Sequence, residues 1–202
     1  TQSKYDEIKN RSQREETLIA WRNDHAVSEL VLWTGSSDVQ SMTIIVSDFI
    51  SGANKILAKN VTVSFIKSTK AYNGDYLGYG DKNRKIPKET QDNRSEAFDI
   101  LYQTDSFYMK AGKIQPVWVD IYVPKDTKAD VYMGTLTVKD DKDNRIVFTY
   151  KLNIQDIVLL DSTEFKNSFD IELWQYPYSS AEYYDVKPFS EEHFSLIKSS
   201  MI

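Results

Sequence analysis

Between Gln115 and Val138 the chain alternates too regularly for anything but sheet. Val117, Val119, Ile121 and Val123 share one side of a period-two pattern, and Trp118, Asp120 and Tyr122 share the other. Pro124 lacks the N–H that a ladder needs and ends the run. The polar stretch Lys125 to Asp130 reads as a turn, and Val131 to Val138 leaves it as a second strand. Two strands with rows this apolar must bury one face against other sheet, so the rest of the chain is read as built around this hairpin.

The flanking sequence supplies that sheet. Thr17–Trp21 and Ala26–Trp33 read as strands around Arg22-Asn23-Asp24-His25, Gln40–Val46 as a third, and Asn60–Ile66 as a fourth with Val61, Val63 and Phe65 on one face. Ala97–Phe107 reads as a strand or a short helical turn. A charged turn over Lys139–Asn144 precedes Arg145–Gln155, where Ile146, Phe148, Tyr150, Leu152 and Ile154 alternate with polar neighbours. About eight strands up to residue 160 suit two packed sheets. Residues 1–16 are polar and read as an arm. Residues 67–95 break the pattern, with Tyr72, Tyr76 and Tyr79 among Gly74, Gly78 and Gly80. Tyr on a Gly-rich loop suits stacking on a sugar ring; the plainer reading is a solvated loop pinned by one or two of them.

Beyond Leu160 the pattern changes. Asp161–Lys166 is a polar junction, Phe169–Trp174 reads as another strand, and a long loop leads to a helix starting at Ser190-Glu191-Glu192. Ser190 is the expected N-cap, the two Glu suit the positive helix end, and Phe194, Ile197 and Met201 share a face. A strand, a loop and an unfinished helix make the opening of a β/α unit.

Composition narrows the chemistry. The 25 basic and 30 acidic residues are mixed along the chain, without the basic stripe that nucleic acid or an anionic membrane requires. No apolar run is long enough for a membrane helix, so membrane insertion is not expected. There is no cysteine, hence no thiol nucleophile, and only His25 and His193, too few for a zinc cage; both read as surface or turn residues. Asp140-Asp141-Lys142-Asp143-Asn144 lacks the glycine and distal Glu of a calcium loop and reads as a solvated turn. Neither a metal nor a cofactor is called for. The better lead is aromatic: Trp118 and Tyr122 opposite the Val/Ile row, and Trp174, Tyr176 and Tyr178 further on. A flat aromatic row suits carbohydrate, and packing is the competing reading for Trp118.

Those last residues carry a resemblance. Leu173-Trp174-Gln175-Tyr176-Pro177, followed by Val186-Lys187-Pro188-Phe189-Ser190-Glu191-Glu192-His193-Phe194, resembles the junction where the N-terminal sandwich of glycoside hydrolase family 123 proteins enters their catalytic (β/α)8 barrel. Gln115–Pro124, Gly134–Val138 and Ala20-Trp21-Arg22-Asn23-Asp24 are similar to further motifs of that family. Asn23-Asp24 stand where the family usually has Gly-Glu, and Phe189 stands for the usual Trp.

The resemblance implies an all-β, two-sheet β-sandwich of Ig-like or jelly-roll-like character over 17–162. A truncated first β/α unit of a (β/α)8 barrel would follow over 163–202. It implies partners in the catalytic barrel of the same chain and a glycan substrate, and a periplasmic or extracellular location. The full-length form would remove terminal β-N-acetylgalactosamine by a retaining, substrate-assisted mechanism, with its catalytic carboxyl pair beyond residue 202 and no catalytic residue in this stretch. Trp174 and Gln175, at the C-terminal end of the first barrel strand, and Tyr76 and Tyr79, on the loop, are the candidate substrate-binding residues. The alternative is a carbohydrate-binding or structural surface module without hydrolase activity.

Overall fold

A computed structural model describes residues 13–71, 95–164, 168 and 177–199. The chain divides into two compact units, Thr1–Leu159 and Leu160–Ile202.

The first unit is all strand apart from one 3-10 turn at Ala58–Asn60. Its strands are β1 (Glu15–Arg22), β2 (Asp24–Trp33), β3 (Val39–Val46), β4 (Phe49–Ser51), β5 (Asn54–Ile56), β6 (Val61–Ala71), β7 (Ser95–Tyr102), β8 (Phe107–Met109), β9 (Ile114–Val123), β10 (Val131–Lys139) and β11 (Arg145–Val158). Among the described residues they form two sheets. One has seven strands, in the order β1-β11-β10-β3-β8 with β4 and β5 joined at β10; the other has four, in the order β2-β9-β6-β7. The strands beyond the eight expected are β4, β5 and β8, each three residues long and too short to show a period. Residues 67–71, expected to leave the sheet, continue β6, which pairs with β7 as far as Ala71↔Ser95. The expected sugar loop beyond them, residues 72–94, lies outside the described residues, as do residues 1–12 of the expected arm.

The stretch from Gln115 to Val138 is not a hairpin. β9 pairs with β2 and β6 in the four-stranded sheet, while β10 pairs with β11, β3 and β4 in the seven-stranded one, so Pro124–Asp130 crosses between sheets. Alternation reports that one face of each strand is buried, which is equally true of neighbours in one sheet and of strands facing each other across a core. The hairpin partner of β10 is β11, joined by the tight turn Asp140–Asn144, with Tyr132↔Leu152 through Lys139↔Arg145 in continuous register.

The two apolar rows therefore meet face to face. Val117, Val119, Ile121 and Val123 from one sheet and Tyr132, Leu136, Val138, Tyr150, Leu152 and Ile154 from the other belong to a single buried cluster with Phe49, Ile56 and Phe65. Burying each such side chain is worth about 1.5–3 kcal/mol relative to exposure, so this core holds the unit together. At the crossing between β1 and β2 one residue, Asn23, turns the chain from one sheet to the other with φ 61°. Its N–H donates to Val123 O (2.8 Å) and its side-chain amide to Leu159 O (3.0 Å), and Tyr122 Oη donates to its Oδ1 (3.0 Å). Asparagine is among the few non-glycine residues that tolerate this left-handed backbone.

In the second unit the expected helix is present as α2 (Glu191–Ser199), and a further short helix, α1 (Tyr178–Tyr184), occupies part of the expected loop. The strand expected over Phe169–Trp174 lies outside the described residues.

Candidate functional site

The most organised polar cluster of the second unit is built on His193, which is fully buried. That corrects the expectation of a surface histidine. Ser190 starts the helix as expected: its Oγ accepts from His193 N–H (3.2 Å), satisfying one of the free amides of the first turn. This places the His193 ring back over the residues that precede α2. Phe189 N–H donates to Nδ1 (2.8 Å), so Nε2 carries the ring proton and donates to Pro177 O (2.8 Å). The same carbonyl accepts from Ser180 Oγ (2.8 Å), which itself lies 3.1 Å from Nε2. One imidazole thus ties the residue ahead of α1 to the residue ahead of the cap of α2. Each such bond is worth roughly 1 kcal/mol net, and more is lost when a buried partner is stranded.

Asp185 closes α1 in the left-handed region (φ 52°), its N–H returning to Ala181 O. Phe189 also stands at positive φ, 60°, which costs about 1–3 kcal/mol for a bulky L-residue. Its ring meets Tyr178 edge-on at 5.3 Å between centroids and lies 5.7 Å from His193 and 6.2 Å from Phe194. Phe189, Phe194 and Tyr178 are nevertheless exposed (50%, 54% and 41%).

On the first unit, Trp118, Asp120 and Tyr122 share the outer face of β9, as their alternation requires, and all three are half-buried. Register sets Glu29, Val27 and His25 of β2 beside them. His25 Nδ1 donates to Asp120 Oδ1 (2.7 Å), and the His25 and Tyr122 rings are 5.1 Å apart. Tyr122, spent on the Asn23 corner, is a packing residue. His25 is exposed as expected, and an exposed ion pair of this kind contributes at most about 1 kcal/mol.

The Asp140–Asn144 turn is occupied by its own bonds. Asp140 accepts from Lys142 N–H, Asn144 N–H and the Asn144 amide, and Asp143 pairs with Lys139 (2.9 Å) and Arg145 (3.1 Å). These bonds hold both carboxyls below the usual carboxylate range: the Asn144 amide chiefly for Asp140, Lys139 and then Arg145 for Asp143. No cluster of three or more His, Cys, Asp or Glu suited to a metal occurs among the described residues. The candidate substrate-binding residues Trp174, Gln175, Tyr76 and Tyr79 all lie outside the described residues.

Comparison with known proteins gives these features a context. The family model for the glycoside hydrolase 123 N-terminal domain matches residues 1–140. The chain belongs to that glycoside hydrolase family. The model for the glycoside hydrolase 123 catalytic domain matches residues 174–202, which contain the His193 cluster. Among solved structures, a family 123 glycoside hydrolase from Clostridium perfringens, studied for glycolipid glycan hydrolysis, is similar at 28% identity with a TM-score of 0.76. The match covers 99% of this chain and 33% of that one, so the chain spans about a third of that enzyme's length. The periplasmic chaperone SfaE follows at 7% identity and a TM-score of 0.37, covering 76% of this chain and 60% of its own; at that level it carries no argument. No curated protein matches.

Proposed function

We propose that residues 17–162 are the non-catalytic β-sandwich of a glycoside hydrolase and that residues 163–202 open its catalytic (β/α)8 barrel. The full-length protein then removes terminal β-N-acetylgalactosamine from glycans. One observation carries the reading: the two family models match in order along one chain, N-terminal domain first and catalytic domain second. The glycolipid glycans named for the Clostridium perfringens enzyme give the substrate class, and such substrates place the protein in the periplasm or outside the cell.

The mechanism that goes with this reading is retaining and substrate-assisted. The 2-acetamido oxygen of the substrate attacks the anomeric carbon while one carboxylic acid protonates the departing glycosidic oxygen, and a neighbouring carboxylate steadies the acetamido group. Both acids lie beyond residue 202. Trp174 and Gln175 are the proposed sugar contacts at the C-terminal end of the first barrel strand, where barrel active sites are built, with Tyr76 and Tyr79 at the rim.

The test pairs two chromogenic substrates on the full-length protein, an aryl β-N-acetylgalactosaminide and the aryl β-galactoside that lacks the acetamido group. Cleavage of the first alone supports the reading. Equal cleavage of both removes substrate assistance, and cleavage of neither removes the hydrolase.

A further inference from the structure

We infer that Phe189, with Tyr178 edge-on beside it, is a stacking platform for a pyranose ring of the glycan, one sugar beyond the residue being released. The inference rests on the hydrolase reading above and adds a ligand contact to it.

Four non-glycine residues of the described chain have positive φ: Asn23, Asp143, Asp185 and Phe189. The first three are of the types that adopt this backbone readily, and each sits at a turn or helix end; an aromatic residue there is an outlier. The strain is held by a dedicated device, the Phe189 N–H bond to His193 Nδ1, with His193 fully buried and its other nitrogen bonded to Pro177 O. Strain in a core residue is offset by burial. Phe189 gains little of that, because half of its surface stays open while Tyr178 and His193 brace it. A backbone forced out of its preferred region to hold an aromatic ring in the open is the pattern expected of a ligand contact.

Position supplies the ligand class. Under the barrel reading, residues 177–190 lead into the first outer helix, α2, on the face where barrel active sites are assembled. An aromatic face on that side suits the C–H face of a pyranose, and a braced ring loses little freedom on binding. An exo-acting enzyme must enclose the sugar it releases, whereas a half-open platform fits the next sugar along.

The test uses the full-length protein with F189L, F189Y and F189W, and two substrates. One is a β-N-acetylgalactosamine-terminated oligosaccharide; the other is β-N-acetylgalactosaminyl fluoride, which has no second sugar. The platform requires F189L to raise KM for the oligosaccharide about tenfold, with kcat and the KM for the fluoride unchanged, and F189Y and F189W to restore it. Leucine keeps an apolar side chain of similar bulk, so the Leu–Tyr contrast isolates the aromatic face from folding. An equal loss on both substrates, or an unchanged oligosaccharide KM in F189L, overturns the platform. If the wild type cleaves neither substrate, the hydrolase reading falls separately. Calorimetric titration with the oligosaccharide then decides: binding weakened in F189L upholds the platform, and binding unchanged or absent in the wild type overturns it.

Discussion

Replacing Gly134 by alanine tests how the core of the first unit is closed. Gly134 lies on β10 directly opposite Tyr150 of β11, and a Cβ there would stand 2.6 Å from Phe49 Cγ and 2.7 Å from each Cδ. Carbon atoms rest at about 3.5–4.0 Å, so the ring would have to retreat by roughly 1 Å. It has nowhere to go: Phe49 and Tyr150 are both fully buried and meet edge-on, centroids 6.3 Å apart. Overpacking of this kind costs about 1–3 kcal/mol, and contact with the middle of a ring rather than a flexible end argues for the upper half of that range. The gain from replacing glycine in a strand, at most about 1 kcal/mol, does not offset it. For a chain of this size 1 kcal/mol corresponds to roughly 2–4 °C, so G134A should melt about 5–10 °C below wild type by circular dichroism. The decisive comparison is a double-mutant cycle. F49A alone should cost about 3–5 kcal/mol; in that background the alanine at 134 meets vacated space and should add almost nothing. A G134A protein that melts with the wild type, or strictly additive costs, would refute the reasoning.

The Asn23 corner makes a second prediction: N23G keeps the left-handed backbone and loses the amide bonds to Leu159 and Tyr122, whereas N23V adds backbone strain, so urea midpoints should fall in the order wild type, N23G, N23V. In the second unit, H193A strands Phe189 N–H and Pro177 O; hydrogen exchange at the Phe189 amide should accelerate at least tenfold, and an unchanged rate would deny His193 its role. Acid stability follows from four carboxyls held below their ordinary pKa, Asp38 chiefly by Tyr108 Oη, Asp130 by Ser51 Oγ, Asp140 by the Asn144 amide and Asp143 by Lys139. With native values depressed, the unfolded chain binds more protons near pH 4. This stabilisation is present above the unfolded pKa and is lost as pH falls through the lower native values. Melting temperature should decline below about pH 4–5, less steeply in D38N/D140N; a profile identical to wild type would contradict the assignment.

How much of this was legible in the sequence depends on the element. β11 and β9 announced themselves because burial on one face imposes period two, and α2 because Ser190 and two glutamates mark a helix start. Pairing was another matter. The rows of β9 and β10 face each other across the core, and alternation carries no record of which sheet a strand joins. His193 was misread because histidine is usually exposed; its burial follows from Phe189 N–H and Pro177 O converging on the ring, a consequence of α1 and the backbone at Phe189 that no local pattern encodes. Asn23 was visible as a departure from the family's glycine, and its φ of 61° shows why asparagine can replace it. The candidate contacts Trp174, Gln175, Tyr76 and Tyr79 lie outside the described residues and stand on the family resemblance.

The account's central claim is that this chain opens a retaining, substrate-assisted β-N-acetylgalactosaminidase. The most direct measurement is proton NMR of the full-length protein acting on a β-N-acetylgalactosamine-terminated glycolipid glycan, read before mutarotation. The account predicts free N-acetylgalactosamine appearing first as the β anomer, with no release by residues 1–202 alone. Release of the α anomer first, or no release of N-acetylgalactosamine by the full-length protein, would contradict it.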